Sequence, residues 1–213
     1  MESTMIATFS PQHVNDIRLN ESDLVTVAQQ GSLEAFNQLV LLYQDKIYSL
    51  ALRILGDEDS AEDITQDTFL SAFRSLPGVR KASFHSWLYR IATNACYDEL
   101  RRRRRRPLQP LEADGDEGEE FLPGYDYSQS SPSPEKEYER KESEEDVQQA
   151  LNWLSADYRA VVVLVDLQEM QYQEAAQILH VPIGTVKSRL ARSRRQLQRF
   201  FRNDGQSKKD KKE

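Results

Sequence analysis

Trp87, Arg90, Asn94, Tyr97 and Arg101 follow one another at intervals of three, four, three and four residues. On a helix that spacing places all five side chains in one stripe. The stripe interleaves aromatic, amide and cationic groups. Unpaired nucleic-acid bases call for that set: ring faces for stacking, an amide for base edges, cations for phosphates. Stacking on one aromatic side chain contributes roughly 1–3 kcal/mol per base. That offsets much of the few kcal/mol needed to unstack a base. On these residues alone a plainer alternative stands beside it, with Trp87 in a core and Arg90 as a surface solubiliser.

A second set lies near the other end. The stretch VPIGTVKSRLARSRRQL, Val181 to Leu197, holds no acidic residue, and by Arg202 it has gathered Lys187, Arg189, Arg192, Arg194, Arg195, Arg199 and Arg202. The longer segment MQYQEAAQILHVPIGTVKSRL has the grammar of a helix-turn-helix. Ala175, Ala176, Ile178 and Leu179 lie on a short first helix, whose small residues admit close approach. HVP makes the turn, and Pro182 suits the start of the next helix. Ile183, Val186 and Leu190 step inward by three and four. Thr185, Lys187, Ser188, Arg189 and Arg192 fall on the opposite face, on a helix sized for a DNA major groove. A basic helix alone would read as a solvated face; the preceding turn and helix favour DNA.

The elements that position these sets are helical almost throughout. Phe36, Leu39, Val40, Tyr43, Ile47, Leu50, Ala51 and Ile54 predict an amphipathic helix over 33–55, ended by Gly56. The next helix is expected to be capped by Ser60 and to bury Ile64, Thr68, Ala72, Phe73 and Leu76 before Pro77-Gly78 stops it. Ser83 is expected to cap a third helix running from Phe84 into six consecutive arginines, Arg101 to Arg106. A short helix over 22–30 completes a four-helix bundle. Residues 107–141 hold five prolines and many acids without apolar period, and read as an extended or disordered linker. Helical period returns with Val147, Ala150, Leu151 and Leu154, and Ser155 is expected to cap the following helix. The run AVVVLV has strand-like composition, but its neighbours make it a buried helix.

The expected fold is therefore all-α: two small helical domains, 21–106 and 142–202, joined by the acidic linker. A loose arm (1–20) precedes them and a disordered tail (203–213) follows. A hydrophobic fraction of 38% is low for one large core. The net charge of −7 hides segregation, since 57–67 and 112–120 each hold six acids while the arginine run and the last helix are strongly basic. One cysteine, Cys96, excludes an internal disulfide and points to a reducing cytoplasm. The three histidines lack metal-ligand spacing. No apolar run reaches the ~20 residues of a membrane span. No glycine loop for phosphates and no nucleophile with a paired base suggests an enzyme or a cofactor.

Three segments, SAEDITQDTFLSAFRSL, FHSWLYRIATNACYDELRRRRRR and VPIGTVKSRLARSRRQL, together resemble the extracytoplasmic-function sigma factors of bacterial RNA polymerase. The resemblance implies two helical domains, called regions 2 and 4, no catalysis, and promoter recognition on behalf of core RNA polymerase. It implies that Asp63, Gln66, Asp67 and Leu70 dock on the clamp helices of the largest subunit, and that region 4 meets the flap of the second-largest. It implies reading of the −10 element by the loop containing Arg80 and Lys81 and by Trp87, Arg90, Ile91 and Asn94, with Arg101 and the arginines after it on phosphates. Lys187, Ser188 and Arg192 match positions that read the −35 element, and Thr185 and Arg189 match backbone contacts. Anti-sigma partners are common in the family, though no residue identifies one. His180 stands where the family usually has glycine, at a turn needing positive φ; Gln171 and Ala191 also depart from the pattern.

The linker fits this reading. Its 35 residues would coil to roughly 30–35 Å but extend beyond ~110 Å. Two DNA sites about two duplex turns apart are separated by ~70 Å. Two rivals remain: a regulator that binds duplex DNA without polymerase, and a helical interaction protein that is only incidentally basic.

Overall fold

The structure, a computed structural model, describes residues 20–79, 84–105 and 144–210, with side chains as far as Arg202. The expected arm, linker and final residues, and with them Arg80, Lys81 and the Ser83 cap, lie outside the described residues. Among the described residues every regular element is helical.

The first bundle holds α1 (Glu21–Gln29), α2 (Leu33–Leu55), α3 (Glu58–Ser75), a 3-10 turn (Leu76–Gly78) and α4 (Phe84–Arg105). Asn20 caps α1 by accepting from the Asp23 amide at 3.0 Å, and Ser32 caps α2 through Ala35 at 3.2 Å. Gly56 ends α2 at φ 83°, the left-handed conformation expected of it. The cap of α3 differs from expectation. Asp57, not Ser60, accepts from the Ser60 amide at 2.9 Å. The helix starts earlier than its apolar pattern suggests, because an acid follows Gly56 directly. Phe73 is also not buried: it is 50% exposed, and Phe69 takes the inward place with Ala61, Ile64, Thr68 and Ala72. Helical rotation carries Phe73 off that line, where its ring meets Phe36 at 5.0 Å.

The second bundle holds α5 (144–152), α6 (Ala156–Val162), α7 (Tyr172–Leu179) and α8 (Ile183–Asp210). The valine-rich run is helix, as its neighbours imply, and α6 continues into one π turn (Val163–Leu167). Val161 to Leu164 are all buried, so a half-exposed strand face has nothing to offer them. Ser155 precedes α6, but its side chain makes no capping bond. α8 extends to Asp210 rather than giving way to an irregular tail at 203.

The two bundles share one buried apolar cluster, with α4 packed on α7 and α2 on α6. Cys96 lies wholly inside it. Burial pushes its thiol up to about 12, which disfavours the nucleophilic thiolate at neutral pH. A disulfide reagent should therefore label native protein only as fast as it unfolds. Labelling complete within the mixing time would contradict that packing.

Candidate nucleic-acid and polymerase interfaces

The helix-turn-helix is built from its small inner residues. Ala175 and Ile178 of α7 and Val186 and Leu190 of α8 are 0–3% exposed. Between the helices His180 sits at φ 52°, a left-handed turn that His tolerates better than β-branched residues do. Its amide and that of Val181 both donate to the Ala176 carbonyl, closing α7. The Pro182 carbonyl accepts from Thr185 at 2.8 Å and Val186 at 3.2 Å, opening α8. Gln171 precedes α7 without a side-chain cap.

Outward from this core, Lys187, Ser188 and Arg192 are exposed and Thr185 is half-buried. Neither Lys187 nor Arg192 has an ion-pair partner among the described residues. Arg195, Arg199 and Arg202 carry the exposed basic stripe further along α8. Two arginines are engaged elsewhere. Arg194 grips both Asp166 oxygens, and Arg189 donates to Asp157 at 2.9 Å.

On α4 the predicted stripe divides. Asn94 and Arg101 are exposed, whereas Trp87, Arg90, Ile91 and Tyr97 are half-buried. Trp87 leans on the Phe84 ring at 5.7 Å with the planes tilted by 48°, and it remains partly exposed. Neither of the alternatives drawn for it fits fully: it touches the core without being sealed in it. Tyr97 faces the second bundle. Burial, then the negative charge of Asp157, push its hydroxyl up.

The arginine run has two roles. Arg101 is exposed beside Asp98 at 3.3 Å. Arg102 and Arg103 instead converge on Glu99 at 2.6 and 2.9 Å. Hydrogen bonds from Arg102 hold the Glu99 carboxyl below its usual range, with Arg103 adding to them against burial. Arg103 also reaches Asp57 and the Ser60 hydroxyl. Burial alone would raise the Asp57 carboxyl, but the Ser60 amide and hydroxyl and Arg103 hold it low. Arg103 thus ties the end of α4 to the start of α3, a structural use that nothing in an unbroken arginine run signals.

Asp63, Gln66, Asp67 and Leu70 are all exposed on one face of α3. Beside them α2 and α3 leave an apolar groove lined by Leu33, Phe36, Val40, Phe69, Leu70 and Phe73. Leu70 and Phe73 are 53% and 50% exposed. An inward Phe73 would leave no such groove, and its angle on α3 relative to Thr68 and Ala72 is the sequence signal that turns it outward. Among the described residues no cluster could hold a metal ion, and no helix is long and apolar enough to cross a membrane.

A helical bundle displaying an acidic and apolar helix face, joined to a helix-turn-helix with a basic outer face, defines a two-domain, all-α DNA-binding protein. Residues 39–106 match the Sigma-70 region 2 family, and residues 144–197 match Sigma-70, region 4. The chain is 36% identical to the RNA polymerase sigma-H factor of Pseudomonas aeruginosa, over 82% of itself and 90% of that protein. It is 35% identical to the ECF RNA polymerase sigma factor SigW of Bacillus subtilis, over 82% of itself and 93% of that protein. With the ECF sigma factor SigE of Mycolicibacterium smegmatis the identity is 37% over 81% of the chain, spanning 63% of that longer protein. Among solved structures, CnrH in complex with the cytosolic domain of CnrY aligns with a TM-score of 0.63 at 26% identity, over 86% of this chain and 98% of that one. RpoE in complex with the anti-sigma factor NepR from Bartonella quintana aligns at 0.60 and 29% identity, over 80% and 98%. The chain belongs to the extracytoplasmic-function sigma factors. It serves promoter-specific transcription initiation with RNA polymerase, in a family of non-enzymatic regulators of transcription.

Proposed function

We propose that this sigma factor divides its work among three surfaces. α8 reads −35 duplex through Lys187, Ser188 and Arg192, with Thr185 and Arg189 on the backbone. α4 captures opened −10 bases on Trp87, Arg90, Ile91 and Asn94, with Arg101 on phosphates and Arg80 and Lys81 in the adjoining loop. The α3 face of Asp63, Gln66, Asp67 and Leu70 docks on the clamp helices of core polymerase, while region 4 rests on the flap. The observation that carries the reading is the outward, unpaired placement of Lys187 and Arg192 on a helix whose opposite residues are sealed. Binding energy alone drives opening. The linker 107–141 spans the ~70 Å between sites by following a path on the polymerase. An anti-sigma partner is the further expectation, since the aligned RpoE from Bartonella quintana is held in a complex with the anti-sigma factor NepR.

The test separates the surfaces. Arg192→Ala should lower discrimination between −35 duplex and scrambled duplex roughly tenfold, the loss of one good base contact, and leave core affinity unchanged. Asp67→Ala should weaken core affinity by about the same factor and leave DNA binding unchanged. Fluorescence anisotropy with labelled DNA and titration against core polymerase read the two effects. Equal losses in both assays for both variants would refute the division. DNA affinity should also fall with salt at a log–log slope of about −0.9 per neutralised phosphate.

A further inference from the structure

α1 carries none of the proposed DNA or polymerase contacts, yet it braces both ends of the connection between α3 and α4. Residues 80–83 join Val79 to Phe84. At the α3 end the chain leaves through the 3-10 turn Leu76–Gly78. Gln29, half-buried in the last turn of α1, faces that turn. Its Nε2 donates to the Leu76 carbonyl at 3.1 Å and to the Val79 carbonyl at 2.7 Å. The Val79 amide donates to the same Leu76 carbonyl at 3.1 Å. At the α4 end Phe84 is 3% exposed, and its ring meets Tyr43 edge-on at 5.6 Å. The Tyr43 hydroxyl in turn donates at 2.6 Å to Glu21, at the start of α1.

Both partners of Gln29 are carbonyl oxygens, which only accept, so its amide nitrogen and not its amide oxygen must face them. One planar NH2 group supplies two donors, and both are used. The turn has little else to hold it on its outer side. Pro77 and Gly78 are exposed, and a Cβ built on Gly78 would meet nothing within 4 Å. Leu76 anchors the inner side at 2% exposure, and the fork from Gln29 sets the direction in which the chain leaves at Val79.

We propose that Gln29 is a positioning residue for −10 recognition, its amide fork aiming the loop that bears Arg80 and Lys81. The inference rests on the reading of that loop as part of the −10 surface. Gln29 itself touches no base. A loop whose exit is fixed in advance has less to order when a base arrives, and it cannot shift to meet a wrong one. Without the fork the loop keeps its charges, so attraction to phosphates persists while discrimination between bases falls.

The experiment uses the full chain with core RNA polymerase. A promoter found by run-off transcription with the wild-type chain is made into a library with its downstream element randomised, and transcripts are counted by sequence. Base preference is a ratio within one sample, so any unfolded fraction cancels from it. Gln29→Met keeps the length of the side chain and loses the donors. It should lower the preference for the favoured base roughly tenfold at one or two adjacent positions, the loss of two hydrogen bonds. Preferences elsewhere in the element, and affinity for core, should be unchanged. Gln29→Lys, which returns donors to both carbonyls, should recover most of the preference. Arg80→Ala/Lys81→Ala should flatten the same positions. Wild-type preferences in Gln29→Met, where the loop variant flattens them, overturn the positioning role alone. A uniform loss across the element, or a matching loss of core affinity, overturns it as well, because general destabilisation gives that pattern. If the loop variant flattens nothing, the reading of the loop fails first, and the inference falls with it.

Discussion

Trp87→Ala is expected to reduce promoter opening by roughly 5- to 150-fold, the loss of one base stack worth about 1–3 kcal/mol. The indole is half-buried and held against Phe84, so it is pre-positioned and loses little freedom when a base stacks on it. Only the opened strand presents such a base, so the effect falls on opening and not on core binding. Trp87→Phe keeps an aromatic face and should retain most of the activity. Permanganate reactivity of −10 thymines reads opening, and titration against core polymerase reads docking. Opening within twofold of wild type, or a matching loss of core affinity, would show that Trp87 acts only as packing.

The second large effect is structural. Arg159 donates to the carbonyls of Leu151, Asn152, Leu154 and Ile54 at 2.6 to 3.3 Å. Asn152 and Ile54 are acceptors at the ends of α5 and α2, where a cation is also favoured by the helix dipoles. Leu154 lies in the turn after α5, and Leu151 accepts from the Leu154 amide as well. Burial pushes the guanidinium pKa down, and no carboxylate pairs with it among the described residues. Arg159→Ala leaves the acceptors partly buried and unmatched, at about 3 kcal/mol. For a chain of this size that lowers Tm by about 6–12 °C. Arg159→Lys should recover little, since an ammonium cannot fork across four carbonyls. Calorimetry checks it; a drop within 2 °C would mean that water replaces the guanidinium freely.

Much of this was legible in the chain because its signals are local. Apolar residues at three and four gave the helices, Gly56 gave the end of α2, and His180 gave the left-handed turn. The outward set Lys187, Ser188 and Arg192 followed from knowing which residues of α8 pack inward. What stayed hidden depends on residues far apart in sequence. Glu174 looks like any solvated acid until α7 lies against Ser86 and His85. Arg159 looks like a surface cation until α2 and α5 end beside it. The outward turn of Phe73, by contrast, is readable from its angle on α3 relative to Thr68 and Ala72. Asp57 took the cap from Ser60 because both are good caps, and the turn at Gly56 brings the aspartate into place first.

The most direct measurement is run-off transcription on genomic fragments by core RNA polymerase with and without this chain, with the 5′ ends of the transcripts sequenced. The account predicts discrete starts that require the chain and share two short upstream elements about two helical turns apart. It predicts further that Arg192→Ala relaxes only the upstream element and Trp87→Ala suppresses starts at all of them. Transcripts identical to those of core alone, or starts that share no second element, would contradict it.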